Sequence, residues 1–327
     1  MMYRQLGTSD IEVSAVALGC WVFAGGRTWG EQSDSDSIRT VHAALDVGIN
    51  FFDTAEGYGS GYSETILGRA LEERRSKAVV ATKVSESNAA EADVMAACDR
   101  SLQRLKTDYI DLYQLHWPSR EVPLEETIGA LERLQQQGKV RTYGVCNFGP
   151  KDLDELLSVG SIVSNQLPYN LLWRAIEVDI IPKCTEHNIG VLCYSPLAQA
   201  LLTGKHRSAD DVPSGRARTK HFSGDRPDAR HGEGGREAET FAAIHELEAI
   251  AEAASVSMTD LAIQWLAHQP AVSSVLAGAR RPSQIIANAR SLGCPLPQDV
   301  LDKATAATEE LKEAFGSNPD MWGSRFR

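Results

Sequence analysis

Apolar residues along the chain fall into two alternating rhythms. Short runs in which nearly every position is apolar are separated by longer stretches in which apolar positions return every three or four residues. The first rhythm belongs to strands buried on both faces, the second to helices with one buried face. Strands are expected at 13–18, 49–53, 79–83, 110–116, 140–147, 162–166, 191–194 and 272–278. Between them, Ile38, Val41 and Leu45 share one helical face, with Ser33 and Asp34 placed to cap it and Gly48 to stop it. Further helices are expected at 64–75, 91–105, 124–137, 152–159 and 174–187, several closed by Gly or Asn.

Most of these units repeat at about 30 residues, the size of one βα unit. Eight such strands predict a (β/α)₈ TIM barrel spanning 1–327 as a single domain, with an open doubly wound sheet as the structural alternative. Two features break the period. Residues 198–236 form a long loop after strand seven, poor in large apolar residues and carrying Arg207, Arg216, Arg218, Lys220, Arg226, Arg230 and Arg236. Two helices, 237–254 and 259–267, then precede the last strand, so one is extra, and a further helix is expected at 300–315. The ending carries Met321, Trp322 and Phe326, more apolar than a solvated tail needs.

Composition narrows the partners. The formal net charge is −11 with no long basic block, which disfavours nucleic acid and anionic membrane. A local arginine pair can still hold a small anion against that background. The six cysteines form no C-x-x-C pair or metal-ligand spacing and read as reduced thiols. The N-terminus lacks an apolar signal core, and the longest apolar run is shorter than the ~20 residues a bilayer span requires. A cytoplasmic protein acting on small molecules is the expectation.

In a barrel of this kind the C-terminal strand ends carry the active site. Those ends read Asp53, Lys83, His116, Asn147, Gln166, Tyr194 and Gly278, with Tyr58 on the loop after the second strand. The row lacks the carboxylate pair of glycoside hydrolysis and any metal-ligand cluster. It suits acid catalysis on a carbonyl. A phenol has pKa about 10; a cation about 4 Å away is worth up to ~4 kcal/mol at an effective dielectric near 20, roughly three pKa units of acidification. Lys83 is placed to supply that charge, Asp53 to keep it charged, and His116 to orient a substrate oxygen. Each also has a plainer reading: a loop cap, a turn aromatic, a solvated cation, a buried histidine. A Schiff-base lyase using Lys83 is a further alternative.

Neither a Rossmann glycine pattern nor a Walker loop is present; Gly204-Lys205 runs into His206. The barrel's own phosphate position, after the last strand, reads Gly278-Ala279-Arg280-Arg281-Pro282-Ser283. Pro282 opens a helix there, and the arginines either face a phosphate or cap a surface helix.

These residues also carry a resemblance. Gly19-Cys20-Trp21, Phe52-Asp53-Thr54-Ala55 with Tyr58-Gly59, Ala81-Thr82-Lys83, Asp111 to Pro118, Gly144-Val145-Cys146-Asn147-Phe148, Asn165-Gln166 and Tyr194-Ser195-Pro196-Leu197 together resemble the aldo-keto reductase family over essentially the whole chain. The segments 169–172 and 201–205 are most similar to the bacterial branch near general-stress reductases and potassium-channel β-subunits. The resemblance implies NADP(H) as cofactor and a catalytic set Asp53, Tyr58, Lys83 and His116. It implies Asn147 and Gln166 on the nicotinamide amide, with Tyr194 against its ring and Trp21 and Cys146 beside it. Ser195, Pro196, Leu197, Gly204, Lys205 and Arg216 would follow the pyrophosphate. Gly278, Arg280, Gln284 and Asn288 would hold the adenosine end, with Arg280 near the 2′-phosphate.

Tyr58, His116 and Trp117 would meet substrate, and Trp21, Trp29 and Trp322 are further candidates for the pocket wall. Cys146 stands where the family usually has Ser, and a thiol is a poorer donor. Ala287 stands where an acidic residue often meets the adenine. Gln114, at a usually apolar site, has no evident partner. The implied function is an NADPH-dependent carbonyl reductase. The alternative is a cofactor-binding, partner-docking subunit of the channel-β type; that branch replaces the histidine which this chain keeps as His116.

Overall fold

Eight parallel strands close on themselves in a barrel. In the computed structural model, which describes residues 1–323, a short antiparallel hairpin, β1 Tyr3–Gln5 with β2 Glu12–Ser14, precedes them. The barrel strands are β3 Val16–Gly19, β4 Phe51–Asp53, β5 Val79–Val84, β6 Ile110–Leu115, β7 Val140–Cys146, β8 Ser164–Pro168, β9 Gly190–Tyr194 and β10 Val272–Gly278. The ring runs in the order β10-β3-β4-β5-β6-β7-β8-β9. Registers such as Gly19↔Asp53, Asp53↔Ala81 and Lys83↔Gln114 bring the C-terminal strand ends to one rim. Phe326, counted above with the apolar tail, lies outside the described residues. Among the described residues no helix is long and apolar enough to cross a membrane.

The core has two compartments, as expected for strands buried on both faces. Outward-facing residues such as Leu18, Phe52, Val80, Tyr113 and Val145 pack under the helices. Inward-facing Ala17, Phe51, Ala81, Leu112, Leu192 and Leu276 fill the barrel. The hairpin segment adds Leu6, Ile11 and Val13 to this interior group. The expected strand 13–18 is therefore two elements. Its mostly apolar pattern, interrupted only by Ser14, runs through a corner at Ala15, where the hairpin ends and the barrel begins.

The expected helix 300–315 is likewise two, Gln298–Ala306 and Glu309–Phe315, separated at Ala307 and Thr308. Both helices expected before the last strand, Glu237–Ala253 and Met258–Ala267, are present. The loop 198–236, poor in large apolar residues, nevertheless has a buried stretch. Ala217, Arg218, Thr219, Lys220, His221 and Phe222 are all buried. Polar partners make this possible: the His221 ring meets the Leu172 carbonyl at 3.0 Å and Thr219 Oγ1 at 2.9 Å, and Lys220 pairs with Glu233 at 2.9 Å. The Lys220 amide also donates to the Met321 carbonyl at 3.0 Å, tying the loop to the C-terminal segment.

Helix Tyr62–Leu71 packs closely on Glu91–Leu105 because position 68 lacks a side chain. A Cβ at Gly68 would lie 2.5 Å from the Arg104 carbonyl oxygen and 2.7 Å from the Leu105 carbonyl carbon. Backbone atoms cannot swing aside. Gly68→Ala is expected to destabilise the fold by about 1–3 kcal/mol, read from the denaturation midpoint; an unchanged midpoint would contradict this packing.

Candidate active site

The C-terminal rim surrounds a cleft of ≈ 480 Å³. Its lining includes Asp53, Tyr58, His116, Asn147, Gln166 and Tyr194, six of the residues that sequence places at or beside strand ends. Gly278 lines it as well, and Lys83, the remaining one, is fully buried below them and reaches up into the same cluster.

Lys83 Nζ is the hub. It donates to Asp53 Oδ1 at 2.7 Å, to the Thr54 carbonyl at 2.6 Å and to the Tyr58 hydroxyl at 3.3 Å. Gln166 Nε2 occupies the other Asp53 oxygen at 2.7 Å. Burial works against the Lys83 charge, but the Asp53 carboxylate and the neighbouring phenol outweigh it and hold the ammonium pKa above the ordinary lysine value. Lys83 is thus a cation at every working pH.

Tyr58 differs from the expectation. Burial pushes its hydroxyl up to about 12; Lys83 pulls the other way and Asp53 adds to the rise. The net acidification expected from a nearby cation is absent. Lys83 shares its charge with Asp53, and desolvation of a phenolate costs more than the remaining attraction returns. The phenol is a proton donor in this state. Its ring stacks on Trp21 at 5.9 Å and meets the His116 ring edge-on at 5.7 Å. Burial, and secondarily Lys83, push the His116 imidazole down to about 3, so it is neutral at working pH.

Asn147 takes a left-handed backbone conformation, φ 64°, one that Asn tolerates better than most residues. Its Nδ2 donates to the His116 carbonyl at 3.0 Å, and its Oδ1 accepts from the Tyr194 hydroxyl at 2.9 Å. Trp322 Nε1 donates to that same hydroxyl at 3.1 Å, linking the C-terminal segment to the rim.

From here the cleft runs along the loop after β9. Ser195, Pro196 and Leu197 line it, and Ala198, Gln199 and Ala200 follow with three consecutive positive φ values of 45°, 57° and 80°. Successive left-handed residues are strained, and here the Ala198 and Ala200 amides are held by the Ser195 and Leu197 carbonyls, each at 2.9 Å. Lys205, Arg216, Gly278, Arg280 and Gln284 close the far end, beside the N-terminus of helix Pro282–Arg290. Trp21, Trp29, Trp117 and Trp322 also face the cleft. Cys146, Gly204 and Asn288 are not among its lining residues.

Two groups escaped the strand-end reading. Arg280 Nε donates to Gln32 Oε1 at 2.9 Å, a second bond reaches the Glu31 carbonyl, and Gln32 Nε2 returns a bond to the Arg280 carbonyl at 3.0 Å. Gln32 lines the pocket that adjoins the cleft at Arg280, and nothing in the periodicity of residues 25–33 marked it. Arg230 also lines the cleft, and only its place in an arginine-rich segment hinted at it. Gln114 sits fully buried in the barrel beside Lys83 in register, with neither side-chain polar atom hydrogen-bonded among the described residues. We have no physical account of it.

A sequence model of the aldo/keto reductase family matches residues 15–309. The chain belongs to that family. Among its relatives is "Aldo-keto reductase YhdN" of Bacillus subtilis, 34% identical over 97% of this chain and 96% of that protein. The "NADH-specific methylglyoxal reductase" of Escherichia coli is 32% identical, covering 95% and 98%. A "Probable voltage-gated potassium channel subunit beta" of Arabidopsis thaliana is 31% identical, covering 96% and 100%. An aldo/keto reductase from Klebsiella pneumoniae, solved with NADP and acetate, superposes with TM-score 0.74 at 28% identity over 92% of this chain and 93% of that one. The branch expected from the sequence, bacterial reductases together with channel β-subunits, is the one these aldo/keto reductases occupy.

A prediction follows for the neutral imidazole. The His116 ring signals in an NMR titration should stay constant from about pH 5 to about pH 8, because the charged form is reached only far below. An inflection near the ordinary histidine value of about 6.5 would contradict the burial described.

Proposed function

We propose that this chain is an NADPH-dependent reductase of small aldehydes or ketones, with Asp53, Tyr58, Lys83 and His116 as its catalytic set. The observation that carries the reading is the Lys83 ammonium, bonded at once to Asp53 and to the Tyr58 hydroxyl on the floor of the cleft.

The cleft fits a dinucleotide. Lys205, Arg216 and Arg280 put positive charge at one end, the left-handed run at 198–200 lies midway, and the amides of Asn147 and Gln166 line the deep end beside Tyr194. When bound, the reduced nicotinamide supplies a hydride to the carbonyl carbon. The protein's part is to hold the carbonyl oxygen and deliver a proton to it. A neutral His116 orients that oxygen by donating an N–H hydrogen bond while keeping its proton. Tyr58 hands its hydroxyl proton to the developing alkoxide. Lys83 stabilises the phenolate left behind, which in free form a buried tyrosine would resist. Asp53 keeps Lys83 charged and in place. Trp21, stacked on the Tyr58 ring, fixes the direction of the hydroxyl.

Arg280 supports NADPH over NADH, since its guanidinium is held at the phosphate end by Gln32 and the Glu31 carbonyl. The relative named as NADH-specific shows that the family admits the other choice.

The test is steady-state reduction of a reactive aldehyde by wild type and Tyr58→Phe, each with NADPH and with NADH. Loss of a positioned general acid is expected to lower kcat about 10²–10⁴-fold, and wild type should prefer NADPH. Survival of the variant within a few-fold would end the mechanism, and equal affinity for the two cofactors would end the assignment of Arg280.

A further inference from the structure

The long loop brings one arginine, Arg230, into the lining of the cleft and a second, Arg218, against its Trp21 and Trp322 walls, and neither is accounted for by the cofactor or by the fold. Arg218 is 6% exposed, yet its Nε and Nη2 have no hydrogen-bond partner among the described residues. Buried guanidinium groups are ordinarily paired with carboxylates. This one is held by aromatic faces instead: its charge centre lies 5.8 Å from the Trp21 ring and 5.3 Å from the Trp322 ring. Arg230 joins it. The Arg230 amide donates to the Arg218 carbonyl at 3.4 Å, its guanidinium lies 5.8 Å from the Trp322 ring, and the residue lines the cleft.

Burial lowers the Arg218 pKa to about 10, and the Arg230 charge lowers it in the same direction. Asp228 opposes both, but it leaves two Arg218 nitrogens unbonded. The nearby Asp320 carboxylate is engaged by the Trp322 and Gly323 amides, and Glu233 by Lys220. Two like charges therefore sit together, and Arg218 has unmade hydrogen bonds, an arrangement that a ligand anion would relieve.

The location decides which anion. Trp21 is the shared wall: one neighbour is Arg218 and another is the Tyr58 ring, at 5.9 Å. The cations of the dinucleotide end, Lys205, Arg216 and Arg280, belong to the cleft's other rim beside helix Pro282–Arg290. We propose that Arg218 and Arg230 form an anion subsite for substrate, so that the favoured carbonyl compounds carry a carboxylate or phosphate group separated from the carbonyl by a short spacer. The proposal rests on the reductase reading for its catalytic consequence but not for the binding itself. It also explains why the loop concentrates arginine here. With its net charge of −11 the protein repels anions generally, and this pair admits one locally.

The test compares matched substrates. Terephthalaldehydic acid against para-tolualdehyde and succinic semialdehyde against butanal probe a carboxylate at two spacer lengths; glycolaldehyde phosphate against glycolaldehyde probes phosphate. In wild type the charged member of at least one pair should have the higher kcat/KM, by ~10-fold or more. In Arg230→Gln and Arg218→Met that ratio should fall ~10-fold or more, chiefly through KM, and Arg218→Lys should recover part of it. A preference in the carboxylate pairs alone, or the phosphate pair alone, identifies the anion.

Binding is read separately, by quenching of tryptophan fluorescence with para-toluate and with inorganic phosphate, which need no turnover. Arg230 is exposed, so Arg230→Gln keeps the test alive if substitution of buried Arg218 prevents folding. Reduction of the neutral aldehydes with no charge preference and no anion binding overturns the subsite while leaving the reductase reading intact. Anion binding that weakens in Arg230→Gln, without reduction of any aldehyde, supports the subsite and defeats the reductase reading instead.

Discussion

A single buried ion pair organises the rim of this barrel. Asp53 is 4% exposed and Lys83 is not exposed at all, and they meet at 2.7 Å. Charges taken this far from water are tolerated only when the geometry is good and the remaining hydrogen-bonding capacity is used. Both conditions hold. Lys83 makes three donor bonds, and the second Asp53 oxygen accepts from Gln166. Breaking such a pair by removing one partner generally costs about 3–5 kcal/mol, because the other is left charged and buried. That cost gives the pair its functional weight. It fixes three strands, β4, β5 and β8, at one point and holds a phenol above it.

The pair also explains why the phenol is not simply acidic. Lys83 is charged because Asp53 is beside it, and the same carboxylate opposes a second negative charge on Tyr58. The proposed chemistry does not need a standing phenolate. It needs a proton that leaves only as an alkoxide forms, with a cation already in position. A hydroxyl raised to about 12 and touching an ammonium meets that description.

How far this was readable from sequence depends on what kind of signal each part leaves. Strands buried on both faces leave unbroken apolar runs, so the barrel and the strand-end residues Asp53, Lys83 and His116 stand out. The hairpin at 3–14 does not, because Val13 and Val16 fall in one mostly apolar stretch, broken only by Ser14, across a corner that only tertiary packing makes. The two C-terminal helices share one period across Thr308 for the same reason. The burial of 217–222 was hidden because it rests on His221, Thr219 and Lys220, polar residues whose partners are distant in sequence. Arg230 entered the cleft, and Gln32 the adjoining pocket around Arg280, from segments where no periodicity applies. The acidity of Tyr58 failed as an expectation since pairwise attraction is visible in a residue list and desolvation is not.

The central claim is that Asp53 and Lys83 act as one unit upon Tyr58 rather than as two independent contributors. A double-mutant cycle on kcat for carbonyl reduction, using Asp53→Asn, Lys83→Met and the pair together, tests it directly, since groups that act as a unit are strongly non-additive. The account predicts that the double variant is within about three-fold of the worse single variant. Losses that multiply across the two positions would contradict it.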